Sequence, residues 1–222
     1  MNNSMNKAHG NIAALFDLDG VVFDTEPQYS AFWSEKGKLF HPEIPHFDQK
    51  IKGQTLVQIF RTWFNDEKLQ RELAESLVNF EENMEMSYIP GVENFLLTLR
   101  SRQIPTALVT SSNRDKMRCV YRRHPRFKSL FSQILTSERF TRSKPHPDCY
   151  LLAAQLFGLP PAQCVVFEDS FNGLKAARAA GAKVVGLSTT NPAEQIAPLC
   201  DIVMPDFTAF TIEDLYRLTE TK

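Results

Sequence analysis

Apolar residues in this chain fall into short unbroken runs, separated by longer stretches in which they recur every three or four positions. The runs are Ile12-Ala13-Ala14-Leu15-Phe16, Thr106-Ala107-Leu108-Val109, Gln133-Ile134-Leu135, Cys164-Val165-Val166-Phe167 and Lys183-Val184-Val185-Gly186-Leu187, with a weaker one at Asp201-Ile202-Val203-Met204. Continuous apolar runs of this length predict strands buried on both faces. Helical spacing predicts helices from Gly91 to Leu99, after Pro90, and over Leu151 to Phe157 and Leu174 to Ala180, the last two stopping at Gly158 and Gly181. Strand and helix therefore alternate from Gly91 onward. The fold class this predicts is α/β: right-handed βαβ units, a parallel sheet with helices on both faces, and any ligand at the carboxyl ends of the strands.

One segment breaks the alternation. Gln28 to Tyr88 is rich in Glu, Lys, Gln, Leu and aromatics, with helical stretches over Tyr29 to Lys36, Leu56 to Trp63 and Glu67 to Met84. It reads as a helical insertion after the first strand, with a loop at His41-Pro42-Glu43-Ile44-Pro45. The expected organisation is a core of residues 11–27 and 89–222, an inserted unit of residues 28–88, and a polar, aperiodic tail of residues 1–10 that is mobile.

Charge narrows the partners. The 222 residues carry 25 Lys+Arg against 26 Asp+Glu, a formal net charge of -1, so nothing draws the chain to nucleic acid or an anionic membrane. A small-molecule partner is expected; the oligomeric state is left open, and a monomer fits. Cys119, Cys149, Cys164 and Cys200 are scattered with no CxxC or Cys/His cluster, which reads as reduced thiols rather than a zinc site or a disulfide framework. No stretch reaches the roughly 18 apolar residues of a membrane span, and the start lacks the apolar core of a signal peptide. A cytoplasmic location is expected.

The polar residues that follow the strands carry the candidate chemistry. The first strand runs into Asp17-Leu18-Asp19-Gly20; taken alone this is equally well a plain turn. The second ends in Thr110-Ser111-Ser112-Asn113, which suits an anionic oxygen, an N-cap, or both. Lys144 lies between prolines in Ser143-Lys144-Pro145-His146-Pro147, where a surface lysine is the plainer reading. The fourth strand delivers Glu168-Asp169-Ser170, a second acidic pair at the same sheet edge. Repeated acids at buried strand ends need a compensating cation, and a hard divalent ion such as Mg²⁺ suits carboxylates and carbonyls. A lysine and hydroxyls beside it would neutralise a phosphoryl group.

Together these segments resemble the haloacid dehalogenase superfamily, specifically its β-phosphoglucomutase-like phosphatase branch. The resemblance rests on Phe16-Asp17-Leu18-Asp19-Gly20-Val21-Val22-Phe23-Asp24-Thr25-Glu26-Pro27, Leu108-Val109-Thr110-Ser111-Ser112, Ser143-Lys144-Pro145-His146-Pro147-Asp148 and Phe167-Glu168-Asp169-Ser170, in family order. Pro90-Gly91-Val92 and Gly173 to Gly181 add to it. The resemblance implies a Rossmann-like core with a helical cap, and phosphate-ester hydrolysis through an aspartyl phosphate. It implies that Asp17 is the nucleophile, that Asp19 is general acid and then base, and that Thr110, Ser111 and Lys144 hold the phosphoryl oxygens. Mg²⁺ would be held by Asp17, the backbone carbonyl of Asp19 and Asp169, with Glu168 a ligand or an outer partner. Thr25 is the candidate partner of Asp19.

The resemblance to the mutases is incomplete. They carry a His shortly after the Asp-Thr pair and an Arg in a Gly-x-Ser/Thr-Arg segment of the cap, where this chain has Tyr29 and Gly53-Gln54-Thr55-Leu56. Hydrolysis of a small phosphorylated metabolite, a sugar phosphate above all, is therefore expected ahead of β-phosphoglucomutase activity. A receiver-like signalling protein is disfavoured because the second acidic pair follows both Thr110 and Lys144. A non-catalytic phosphosugar binder is disfavoured because every reactive position is intact. His41, His46 and His124 are expected at the surface, Phe32, Trp33 and Trp63 in the core of the insert, and Arg122-Arg123-His124-Pro125-Arg126 at a solvated helix end.

Overall fold

The computed structural model describes residues 12–52 and 54–220. The expected tail, residues 1–10, and Gly53 lie outside the described residues. From the amino end the elements are β1 (Ala13–Phe16), then four helices α1 (Glu26–Phe40), α2 (Phe47–Ile51), α3 (Leu56–Trp63) and α4 (Glu67–Asn83). They continue with α5 (Val92–Ser101), β2 (Thr106–Val109), α6 (Arg114–Arg123), β3 (Gln133–Leu135), α7 (Asp148–Phe157), β4 (Cys164–Glu168) and α8 (Phe171–Ala180). The last are β5 (Lys183–Leu187), α9 (Ala193–Ile196), β6 (Ile202–Met204) and α10 (Ile212–Thr219). Each apolar run is a strand, and each helical pattern is a helix.

The strands form one parallel sheet in the order β3-β2-β1-β4-β5-β6. The chain builds outward from β1 through β2 and β3, then returns to β4 on the other side of β1, so the order reverses between β1 and β4. Crevices open at the carboxyl ends of such a pair. The period of two along β1 sends Ala14 and Phe16 into a layer with Phe95, Leu96, Val120 and Leu215 from α5, α6 and α10. Ala13 and Leu15 go into the opposite layer, with Tyr150, Ala153, Leu174 and Ala177 from α7 and α8. Phe16 stacks on Phe167 of β4 at 4.6 Å between ring centroids. Burying such a ring stabilises the fold by about 1.5–3 kcal/mol, which pins the β1–β4 register just below the polar edge.

Helices α1 to α4 gather round a separate apolar cluster of Phe32, Trp33, Phe47, Ile51, Ile59, Phe64, Leu73 and Leu77, with Trp63 packed against it. The expectation for Phe32, Trp33 and Trp63 is met. Thr55 starts α3 with a reciprocal capping box to Gln58, and Asp66 starts α4 by accepting from the amides of Lys68 and Leu69. The chain leaves the core and returns along paired backbone: Asp24 N donates to Ser87 O at 2.9 Å, and Ile89 N to Val22 O at 2.9 Å. Among the described residues no helix is long and apolar enough to cross a membrane.

Two of the histidines depart from expectation. His41 is wedged between Phe47 and Phe64, and His124 packs at a tilt on Phe23 and edge-on to Tyr88 while its Nε2 lies 3.0 Å from Met86 O. Both are part-buried packing groups, because an imidazole can offer a ring face to an aromatic neighbour while keeping one polar edge satisfied. The arginines beside His124 are also engaged, Arg122 with the Glu82 carboxylate at 3.5 Å and Arg123 with the Glu82 carbonyl, which ties α6 to α4.

Candidate active site

Register brings the acids together. Phe16 lies opposite Phe167, and Asp17 N donates to Phe167 O at 3.0 Å, so the residues that follow both strands emerge side by side. Asp17, Glu168 and Asp169 are buried and each can point one carboxylate oxygen within 4.8 Å of the others. Thr110, buried one residue past β2, donates its amide to Leu135 O at 2.9 Å and accepts the Ser112 amide at 3.0 Å on its hydroxyl. The Ser111 hydroxyl beside it is buried with no partner among the described residues. A donor left free in that place is available to an incoming anionic oxygen.

Lys144 reaches the same edge. It is 2% exposed, and its Nζ lies 2.7 Å from Asp17 Oδ1, 2.6 Å from Glu168 Oε1 and 3.2 Å from Val109 O. Burial by itself would pull the lysine down, but Asp17 and Glu168 outweigh it and hold the ammonium well above the usual lysine range. Burial also pushes Asp17 up, Lys144 opposes it, and Glu168 and Asp19 add to it, leaving that carboxyl at about 7. Asp169 is driven well above the carboxylate range by burial, then by the charges of Glu26, Glu168 and Asp17. Lys144 pairs with two of the three buried acids, Asp17 and Glu168. A divalent cation fits this oxygen-donor set, since it would compensate the charge that burial leaves exposed to its neighbours.

The acids are not equivalent. Glu168 Oε1 accepts from Lys144 and from the Tyr150 hydroxyl at 2.9 Å; Oε2 accepts from Asp169 N at 3.0 Å, Ser170 N at 3.1 Å and Ser170 Oγ at 3.1 Å. Both oxygens are fully engaged. Asp169 keeps more freedom, with Thr190 on Oδ2 and the Asn191 amide on its backbone carbonyl at 2.9 Å. Two glycines make this crowding feasible: a Cβ on Gly173 would fall on the Glu168 carboxylate, and one on Gly20, at φ +73°, on the Asp169 carboxylate.

Asp19 faces elsewhere. Its carboxylate accepts from Thr25 Oγ1 at 2.5 Å, from Ser112 Oγ at 3.2 Å, and from Lys116 Nζ at 2.5 Å on each oxygen. Thr25, the candidate partner, is thus one of its donors. A cavity of about 710 Å³ opens above these groups, with Asp17, Asp19, Thr110, Lys144 and Asp169 on the sheet side and Glu26, Tyr29, Trp33, Lys52 and Glu81 on the side of the insert. That size suits a small ligand.

The structure thus brings Asp17, Asp19, Thr110, Ser111, Lys144, Glu168 and Asp169 to one edge. Sequence reasoning missed Lys116 and Thr190. The signal for Lys116 was its place three and four residues before Cys119 and Val120, on the buried face of α6. The signal for Thr190 was a second hydroxyl and amide cluster, Thr189-Thr190-Asn191, just beyond β5.

An α/β sheet that gathers buried acids, a buried lysine and free hydroxyl donors at one strand edge belongs to the phosphoryl-transfer class, because those groups can both seat a phosphoryl group and attack it. A family model for haloacid dehalogenase-like hydrolases matches residues 13–181, and the chain belongs to that family. It is similar to a probable pseudouridine-5'-phosphatase of Drosophila melanogaster, 32% identical over 187 residues that cover 77% of this chain and 79% of the relative. It is also similar to hexitol phosphatase A of Escherichia coli, 33% identical over 183 residues, 78% of this chain and 82% of the relative. In fold it resembles a family IA hydrolase of the same superfamily from Entamoeba histolytica, with a TM-score of 0.80 and 23% identity over 94% of this chain and 99% of the other. The chain is a phosphoric monoester hydrolase, as the sequence led one to expect.

Proposed function

We propose that this chain is a Mg²⁺-dependent phosphatase that hydrolyses a small sugar or polyol phosphate through an aspartyl phosphate on Asp17. The observation that carries the reading is Asp17 itself: a carboxylate held 2.7 Å from a buried ammonium, one residue past a central strand, on the floor of a ligand-sized cavity.

Thr110, Ser111 and Lys144 seat the phosphoryl oxygens, and Lys144 offsets the repulsion between a phosphate dianion and the attacking carboxylate. Asp17 Oδ attacks phosphorus and the ester P–O bond breaks, with Asp19 giving a proton to the departing alcohol oxygen. Asp19 then takes a proton from water, whose oxygen attacks the same phosphorus; the bond from phosphorus to Asp17 breaks and inorganic phosphate leaves. Mg²⁺ would be held by Asp17, Asp169 and the backbone carbonyl of Asp19, and when bound it supplies positive charge at the phosphoryl group. Glu168, with both oxygens taken, serves as the fixed partner of Lys144 rather than as a direct ligand. Residues 28–88 act as the cap that closes over the site and excludes water.

Hydrolysis is favoured over the mutase reaction because the lysines facing the leaving group, and Arg142 beside them, are already paired with acids. Lys52 lies 3.2 Å from Glu26, Lys116 is bound to Asp19, and Leu56 has no donor. Arg61 is the cation left to grip a second phosphate among the described residues that line the cavity. The names of the two relatives point the same way. The test is phosphate release from p-nitrophenyl phosphate and a panel of sugar and polyol phosphates, with and without EDTA. Turnover abolished by EDTA and restored by Mg²⁺ supports the reading, and EDTA-resistant turnover overturns it.

A further inference from the structure

Lys116 has no part in the reaction as described so far. It stands in the first turn of α6, 3% exposed, and its hydrogen bonds run to both oxygens of Asp19 at 2.5 Å. On its other side the insert closes it in. The Tyr29 ring of α1 lies 4.3 Å from the ammonium, and the Tyr29 hydroxyl donates to Glu81 of α4 at 2.7 Å, an acid itself 6% exposed. An ammonium removed from water is stable only where acids and π faces replace its hydration. Here Asp19 supplies that from the sheet side and Tyr29 and Glu81 from the insert.

The contacts of Asp19 are unequal in what they fix. Thr25 reaches only Oδ1 and Ser112 only Oδ2, each through a neutral hydroxyl. Lys116 meets both oxygens and is the charged donor of the three. Water would compete for this ammonium if the ring and the acid of the insert moved away. We infer that Lys116 is a positioning residue: it anchors the Asp19 carboxylate where it exchanges a proton with the leaving oxygen and with water, and it does so only while Tyr29 and Glu81 enclose it. This rests on the phosphatase reading above and adds to it a link between closure of the insert and proton transfer.

A double-mutant cycle tests it, with p-nitrophenyl phosphate at saturating Mg²⁺ and folding followed by circular dichroism. Lys116→Met should lower kcat by about 10²-fold while KM stays within about twofold. In an Asp19→Asn background the same substitution should change nothing, because Lys116 acts through Asp19. Tyr29→Leu should lower kcat by about fivefold, and again do nothing once Lys116 is Met. If Lys116→Met does not fold, Lys116→Gln enters the cycle in its place, and Tyr29→Leu, which leaves the lysine intact, reads the link to the insert. Undiminished kcat in Lys116→Met, an equal loss in the Asp19→Asn background, or a change confined to KM overturns the inference while leaving the phosphatase reading standing. A wild-type protein inert toward all phosphate esters would overturn both.

Discussion

Glu168 gives one carboxylate oxygen to Lys144 at 2.6 Å and the other to the amides of Asp169 and Ser170 at 3.0 and 3.1 Å. This acid, from sequence a metal ligand or an outer partner, is anchored to the loop after β4, and the lysine is braced against it. Glu168→Gln should cost about 3 kcal/mol of stability, the scale for breaking a buried ion pair. It should lower kcat by about 10²-fold by loosening Lys144. Denaturant titration and steady-state kinetics on the same preparation check both.

Gly173→Ala should resemble Glu168→Gln without touching either charge. Its new methyl would meet the Glu168 carboxylate, so the acid must shift. A stability loss of about 1–3 kcal/mol is expected, with a fall in kcat on the Glu168→Gln scale. Gly158→Ala is the control: unlike the helical Gly173 it has a left-handed φ of +66°, but nothing lies near its Cβ, so it should lose about 1 kcal/mol and keep full turnover.

Asp17→Asn should abolish turnover. The amide keeps the shape of the side chain but is no nucleophile, and at least a 10³-fold fall is expected, about 4 kcal/mol of barrier. The circular dichroism spectrum should match wild type, since the core layers under β1 are untouched. Retained turnover in this variant would place the nucleophile elsewhere.

Mg²⁺ should stabilise the protein more as pH rises. Burial, first among its causes, lifts the Asp17 carboxyl to about 7 in the folded chain, against about 3.9 when unfolded. Between those values the folded state holds a proton that the unfolded state has lost, so metal-free stability falls as pH rises through that window and levels off above 7. The cation binds the carboxylate form, so its stabilising effect should be small at pH 5.5 and full near pH 8. Melting curves in EDTA and in excess Mg²⁺ across that range check the opposite slopes.

With β-glucose 1-phosphate and catalytic β-glucose 1,6-bisphosphate, free phosphate should accumulate and glucose 6-phosphate should not build up over many turnovers. A mutase must keep and turn a bisphosphate, which needs a strong grip on the distal group. Lys52 and Lys116 are both engaged with acids, and Leu56 offers no charge. Many turnovers to glucose 6-phosphate with little phosphate released would make Arg61 the grip and the chain a mutase.

The sheet was legible because runs such as Val165-Val166-Phe167 leave no polar face for solvent, and the residues directly after them had to be the edge. The acids and Thr110 were read in that way, whereas the role of Lys144 came from the family resemblance. Helix α2 was not: its five residues follow His41-Pro42-Glu43-Ile44-Pro45, and it forms because Phe47 and Ile51 fill the insert's core rather than through any local signal. Lys116 was missed because a lysine in a helix rich in Arg and Asp reads as solvated, and its partners, Asp19 and Tyr29, lie far off in sequence. The engagement of Glu168 by Tyr150, eighteen residues earlier in the chain, was likewise not visible from spacing.

The two passages of chain that join the insert to the sheet are bonded to each other, Asp24 to Ser87 and Val22 to Ile89, with Phe23 and Tyr88 stacked between them at 4.8 Å. Two separate tethers would let the helical unit twist and slide as well as open. Laced together they form a single strap, and the closure proposed above would then follow one arc and return Tyr29 over the same lysine each time. The accuracy of that closure is then a property of a strap that adjoins the chemistry it serves, since Thr25, the residue after Asp24, donates to Asp19.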